Sequence, residues 1–208
     1  TPSFTGTRVL SDVPLSVIRD YIDWSPYFMT WELKGKYPKI FKDPVVGEIA
    51  TEVYEKANAM LDKIIDEKLI TAKAVYGFWP AASDGDDVII YTDETRTSEK
   101  TRFSFLRQQW ERKGQTDFRS LSDYVAPVDS GRKDYIGGFV VTTGIGADEL
   151  ANRFKQELDD ESAIIVQAVA DRCAEALAEY LHQQARKDWS YGAEEQLTTD
   201  QLSDEEYR

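Results

Sequence analysis

Asp171, Glu175, Ala178 and His182 follow one another at intervals of four, three and four residues, which puts all four on one stripe of a helix. Carboxylates and an imidazole on one stripe can face a cation or move a proton. In an acidic chain the ordinary use of such a stripe is a solvated charged face. No nucleophile or second base stands near His182 in sequence, so proton transfer by His182 is not expected. Asp93-Glu94 joins two carboxylates, but adjacent side chains in a strand or turn point apart and seldom share a metal. Gly144-Ile145-Gly146 sits between an expected strand and an expected helix, where phosphate loops sit, yet it lacks the dinucleotide spacing and the Walker lysine. Gly77-Phe78-Trp79-Pro80-Ala81 reads as core packing at a strand end. Asp23 is the remaining candidate. It is the lone carboxylate in an aromatic run, Tyr21-Ile22-Asp23-Trp24-Ser25-Pro26-Tyr27-Phe28-Met29-Thr30-Trp31. Such a run lines a ligand or domain wall, or it is core, with Asp23 capping a helix that Pro26 begins. In an extended or turn segment the spacing gives no single face, so Trp24 and Trp31 are expected to differ, one in the core and one near a cleft or the surface; equal burial of both counts against a ligand wall.

The elements that must hold these residues follow from periodicity. Thr1 to Asp12 reads as an extended lead-in. Val13, Val17, Ile18, Tyr21 and Ile22 recur at helical spacing and would deliver Asp23 at the helix end. Asp43-Pro44 is expected to open the first long helix, with Val45, Val46, Ile49, Val53, Ala57, Met60, Leu61, Ile64 and Ile65 on one face to about Leu69. Lys73 to Pro80 and Asp86 to Thr92 read as strands joined at Ser83-Asp84-Gly85-Asp86. Thr101 to Leu106 reads as a third strand, Gln108 to Ser120 as loop, and Tyr135 to Thr143 as a strand bearing Gly137-Gly138. Ala147 to Leu158 and Ser162 to about Lys187 read as helices, followed by a polar tail from Tyr191. Strands and long helices without regular alternation predict an α+β domain, an antiparallel sheet flanked by long helices.

The chain has 208 residues and a formal net charge of −13, enough length for one sizeable core. That charge argues against nucleic acid, whose phosphates demand Lys and Arg, and against anionic membrane surfaces. Cys173 is the one cysteine, so no intramolecular disulfide is possible, and one His makes a protein-only zinc site implausible. No apolar run reaches membrane-spanning length, and the expected compartment is the cytoplasm. The start at Thr1-Pro2 reads as a piece of a longer polypeptide.

The string from Ile22-Asp23-Trp24-Ser25-Pro26-Tyr27-Phe28 to Gly35-Lys36-Tyr37-Pro38 resembles the activation domain of cobalamin-dependent methionine synthase. The resemblance continues through Ala57-Asn58-Ala59-Met60-Leu61-Asp62, Gly77-Phe78-Trp79-Pro80-Ala81, Leu106-Arg107-Gln108-Gln109 and Leu121-Ser122-Asp123-Tyr124-Val125-Ala126-Pro127. Ser130-Gly131, Asp134-Tyr135-Ile136-Gly137, Ala170-Asp171-Arg172-Cys173-Ala174-Glu175-Ala176 and Ala178-Glu179-Tyr180-Leu181-His182 extend it over nearly the whole chain.

The resemblance implies a module that binds S-adenosylmethionine and supports reductive methylation of inactive cob(II)alamin. It implies no catalytic residue for the main methyl transfer from methyltetrahydrofolate to homocysteine, so the chain alone is not expected to catalyse. Asp23 and Glu175 match the family's two acidic ligand contacts, and the first and last helices must meet to bring them together. The implied partners are a cobalamin-binding module of the same polypeptide and flavodoxin or a flavoprotein reductase. The family's R-P-A-x-G-Y-P ligand segment does not occur in residues 1–208, which are expected to be the N-terminal two-thirds of the domain. The other reading is an acidic α+β interaction module that docks a protein through its aromatic N-terminal segment.

Overall fold

The computed structural model describes residues 1–111, 113–114 and 117–189. The polar tail expected from Tyr191 lies outside the described residues. Among the described residues the strands and α-helices follow in the order β1 (Gly6–Leu10), α1 (Leu15–Ile18), α2 (Ser25–Thr30), α3 (Gly47–Asp66), β2 (Thr71–Asp84), β3 (Asp87–Tyr91), β4 (Glu99–Ser104), β5 (Asp134–Ile145), α4 (Ala147–Gln156) and α5 (Asp160–Asp188). The strands pair in the order β1-β2-β3-β4, with β5 also on β2. The β2–β3 and β3–β4 ladders are antiparallel. The α+β class with an antiparallel sheet is therefore the observed one. Cα packing divides the chain into two compact units.

The helical unit comprises Val9–Val75 and Val140–Gln184 among the described residues. Its core holds Ile18, Phe28, Leu61, Ile64, Val166, Val169, Leu177 and Leu181, all nearly inaccessible to water. α3 buries Gly47, Ala50, Val53, Ala57, Met60, Leu61 and Ile64, a stripe of three- and four-residue steps. It begins three residues later than Asp43-Pro44 led us to expect. The Asp43 carboxylate accepts from the backbone N–H of Val45 and Val46 at 2.9 and 3.1 Å, so it closes a separate turn first. Val45 and Ile49, expected on the inner face, are instead 82% and 51% exposed. α1 is short and runs into a 3-10 turn, Arg19–Tyr21.

At the end of β5, Gly146 takes φ +94° and starts α4; a Cβ there would lie 2.4 Å from the carbonyl oxygen of Leu69. The Gly144-Ile145-Gly146 segment thus has a steric reason for its second glycine. Asp159 accepts from the Ser162 N–H at 3.0 Å at the start of α5.

The strand-rich unit comprises Thr1–Arg8, Tyr76–Phe139 and the described part of Ala185–Ala193. The β2–β3 hairpin closes with Asp84 opposite Asp87, leaving Gly85 and Asp86 as the two-residue turn, with Gly85 at φ +64°. β4 is exposed along its whole length. Arg102 on it reaches Glu99, Asp84 and Asp87 at 2.9–3.4 Å, the kind of charge that keeps a sheet edge from pairing with other chains. Beyond β4, Arg107 gathers the following segment by contacts to Asp86, Asp123 and the Phe118 carbonyl. Gly137 approaches the Phe78 ring so closely that a Cβ would sit 3.1 Å from it. At the end of α5, Asp188 accepts from Ser3, Arg8 and Tyr76.

Candidate functional site

Both residues singled out as ligand contacts, Asp23 and Glu175, lie in the helical unit. Asp23 follows the 3-10 turn and is exposed. Its Oδ1 accepts from the Ser25 N–H at 2.8 Å, so the carboxylate fixes the entry into α2 while its other oxygen makes no hydrogen bond with the described residues. Pro26 stands in the first turn of α2, as the Ser25-Pro26 pair led us to expect. Ser25 in turn accepts from the Tyr37 N–H at 3.1 Å through Oγ, which folds the segment after α2 back onto its start.

The rings of the aromatic run turn mostly inward. Phe28, Tyr27 and Trp24 are 0%, 1% and 5% exposed. Trp24 meets Tyr27 and Tyr54 edge to face, and Tyr54 and Phe41 continue the cluster to Tyr37. The Tyr27 hydroxyl donates to the Val53 carbonyl at 3.0 Å, and burial pushes its pKa up to about 12. Trp31 is half-buried, in contrast to Trp24. Met29, between Phe28 and Trp31, faces outward and is 68% exposed. It borders an open cleft of about 720 Å³ with Glu32, Leu33, Lys34, Gly35 and Lys36. Asp23 and Glu175 are not among those lining residues.

Glu175 is exposed on α5. Of its stripe, Asp171 is drawn to the guanidinium of Arg172 at 2.6 Å. His182 is half-buried a further seven residues along. Contacts on both sides of Glu175 help to hold α5. Thr143, on β5, donates through Oγ1 to the Ala170 carbonyl at 2.6 Å. Tyr21, two residues before Asp23, donates to Gln183 Oε1 at 2.9 Å and packs edge to face on Tyr180 with ring centroids 5.6 Å apart. The segment leading to Asp23 therefore lies directly against the helix that carries Glu175. Burial raises the Tyr21 pKa above its ordinary value, with Tyr180 and Asp20 adding to the shift. Tyr21 was not a site residue on sequence grounds. Its partner is 162 positions away, and no local pattern points to it.

The other candidates resolve into structure. Asp93 accepts from the Thr95 N–H and hydroxyl, while Glu94 accepts from the Tyr135 hydroxyl at 2.9 Å, so the two carboxylates diverge. Among the described residues no group of three or more His, Cys, Asp or Glu is placed to hold a metal ion. Phe78 is 2% exposed and packs on Trp189, as core. No described helix is long and apolar enough to cross a membrane.

Residues 14–208 match the model of a known family, the vitamin B12 dependent methionine synthase activation domain. The chain belongs to this family. It is also similar to a solved structure described as the MetH reactivation domain bound to AdoHcy, with 45% sequence identity and a TM-score of 0.94. That likeness covers 100% of this chain and 63% of the solved one, so the chain spans a little under two-thirds of its relative's length.

Proposed function

We propose that this activation domain binds S-adenosylmethionine and supports reductive methylation of inactive cob(II)alamin in a methionine synthase. The observation that carries the reading is the likeness, over the whole chain, to a reactivation domain described with AdoHcy bound. In this reading S-adenosylmethionine supplies the methyl group. The protein's part is to bind and orient it, with Asp23 and Glu175 as the acidic contacts.

Both carboxylates suit the task for a common reason. They are exposed, and Asp23 keeps one oxygen clear of the bond to Ser25. A carboxylate offered to an ammonium makes a charge-assisted hydrogen bond, roughly twice as strong as a neutral one. The ligand's own carboxylate calls for a cation, which the resemblance assigns to the arginine of an R-P-A-x-G-Y-P segment not found in residues 1–208. The cobalamin belongs to another module of the same polypeptide, and the electron comes from flavodoxin or a flavoprotein reductase. The setting is the cytoplasm.

Calorimetry with AdoHcy on the domain carrying its natural C-terminal continuation tests the reading. The expected result is binding that Glu175→Gln weakens by about one decade, the loss of a hydrogen bond to a charged group. Equal affinity in the Glu175→Gln protein overturns the role of Glu175. Absence of any AdoHcy binding overturns the function. The inward turn of Trp24, Tyr27 and Phe28 favours the ligand reading over an interaction module that docks through these rings.

A further inference from the structure

We infer that Tyr21 is a positioning residue that sets the spacing between Asp23 and Glu175; the inference rests on the ligand roles proposed for those two carboxylates. Tyr21 ends the 3-10 turn that follows α1, two residues before Asp23. It makes two contacts to α5 by different means. The hydroxyl donates to Gln183 Oε1 at 2.9 Å, and the ring packs edge to face on Tyr180 at 5.6 Å.

Helical geometry relates both contacts to Glu175. Tyr180 and Gln183 lie five and eight residues beyond it, roughly 8 and 12 Å along the axis at 1.5 Å per residue. At about 100° per residue, Gln183 is turned about 80° from Glu175 and Tyr180 about 140°. Tyr21 therefore holds a face of α5 turned roughly 80–140° from Glu175, and the chain that leaves it reaches Asp23 after one intervening residue. On the N-terminal side of Glu175, α5 is held by Thr143 at Ala170. On the C-terminal side, within the helical unit, Tyr21 adds its hold at Tyr180 and Gln183. Asp23 itself is kept from swinging by its bond to the Ser25 N–H. With each carboxylate fixed on its own element, the contact between the elements decides their separation.

A positioning role differs from a structural one in what it does to different ligands. AdoHcy carries the amino-acid group that the carboxylates address. 5′-Methylthioadenosine shares the nucleoside and thioether but lacks that group. Tyr21→Phe keeps the ring on Tyr180 and removes only the hydroxyl. In the domain with its natural continuation, Tyr21→Phe is expected to weaken AdoHcy binding about three- to tenfold, the worth of one neutral hydrogen bond. Methylthioadenosine binding stays unchanged, and Gln183→Leu reproduces the pattern.

Asp23→Asn, measured in parallel, separates the two levels of the argument. Loss of AdoHcy affinity in both Asp23→Asn and Tyr21→Phe supports the inference. Loss in Asp23→Asn with none in Tyr21→Phe overturns the inference and leaves the ligand reading standing. No loss in Asp23→Asn overturns the role of Asp23, and the inference with it. An equal fall for AdoHcy and methylthioadenosine in Tyr21→Phe shows general loosening of the unit and overturns positioning.

Discussion

The Thr143 hydroxyl donates to the Ala170 carbonyl oxygen at 2.6 Å, a bond made from strand β5 to the backbone of helix α5. Thr143 is 1% exposed, so water does not compete for this carbonyl. A hydroxyl that reaches into a helix backbone fixes the register of strand and helix at one residue. Apolar packing alone leaves that register free to slide a little. Thr143→Val keeps the branched shape and loses the donor. The expected cost is about 0.5–1.5 kcal/mol, seen as a fall in Tm of roughly 2–4 °C per kcal/mol for a chain of this size. A Tm equal to that of the unaltered protein shows that the bond contributes nothing net.

Acid stability depends on Arg107. Its guanidinium grips both carboxylate oxygens of Asp123 at 2.8 Å, and the Ser120 N–H donates to the same group at 2.9 Å. Arg107 first, and Ser120 second, hold the Asp123 pKa down to about 2. An unfolded aspartate titrates near 3.9. The folded pKa is the lower, so the contribution is complete above about pH 4 and disappears as pH falls to about 2. Arg107→Gln should therefore melt below the parent at pH 6, with the gap narrowing as pH falls toward 2. A gap of the same size at both pH values means that Asp123 titration is not coupled to Arg107.

Cys173 is 2% exposed, and burial pushes its pKa up to about 12 against a small opposing pull from Arg19. A thiol so far from its thiolate is a poor nucleophile. In the folded protein at pH 8, a disulfide reagent should label it no faster than the protein unfolds, and label it at once in denaturant. Rapid labelling of the native chain would place Cys173 nearer the surface than it stands here.

What the sequence made legible was local. Asp84-Gly85-Asp86 announces its hairpin because a two-residue turn needs a residue at positive φ, and Gly85 supplies it. The α3 stripe from Val53 to Ile64 is legible because helical period and burial coincide there. The start of α3 was not, since Asp43 satisfies the Val45 and Val46 N–H groups of a preceding turn, and an N-cap looks the same in sequence. The site divides in the same way. Asp23 and Glu175 stand out through the motifs around them. The contact that relates their two elements joins Tyr21 to Gln183 across 162 positions, and only the folded chain brings it into being.

Asp23 both closes the turn that leads into α2 and is a proposed ligand contact, and two substitutions separate these jobs. Its Oδ1 accepts from the Ser25 N–H at 2.8 Å, in an exposed turn. Asn can make the same bond, because its amide oxygen occupies the same place, and it caps about as well as Asp. Asp23→Asn should therefore leave Tm unchanged while removing the charge offered to the ligand's ammonium. The expected loss is about 1.5–3 kcal/mol of AdoHcy binding, or one to two decades in affinity. Asp23→Ala removes both functions. It should bind as weakly as Asp23→Asn and also melt lower, because the Ser25 N–H loses its side-chain acceptor. Calorimetry and a thermal melt on the pair read the two effects independently. Full affinity in Asp23→Asn with a lowered Tm in Asp23→Ala makes Asp23 a turn residue alone, and the acidic contact must then be sought elsewhere.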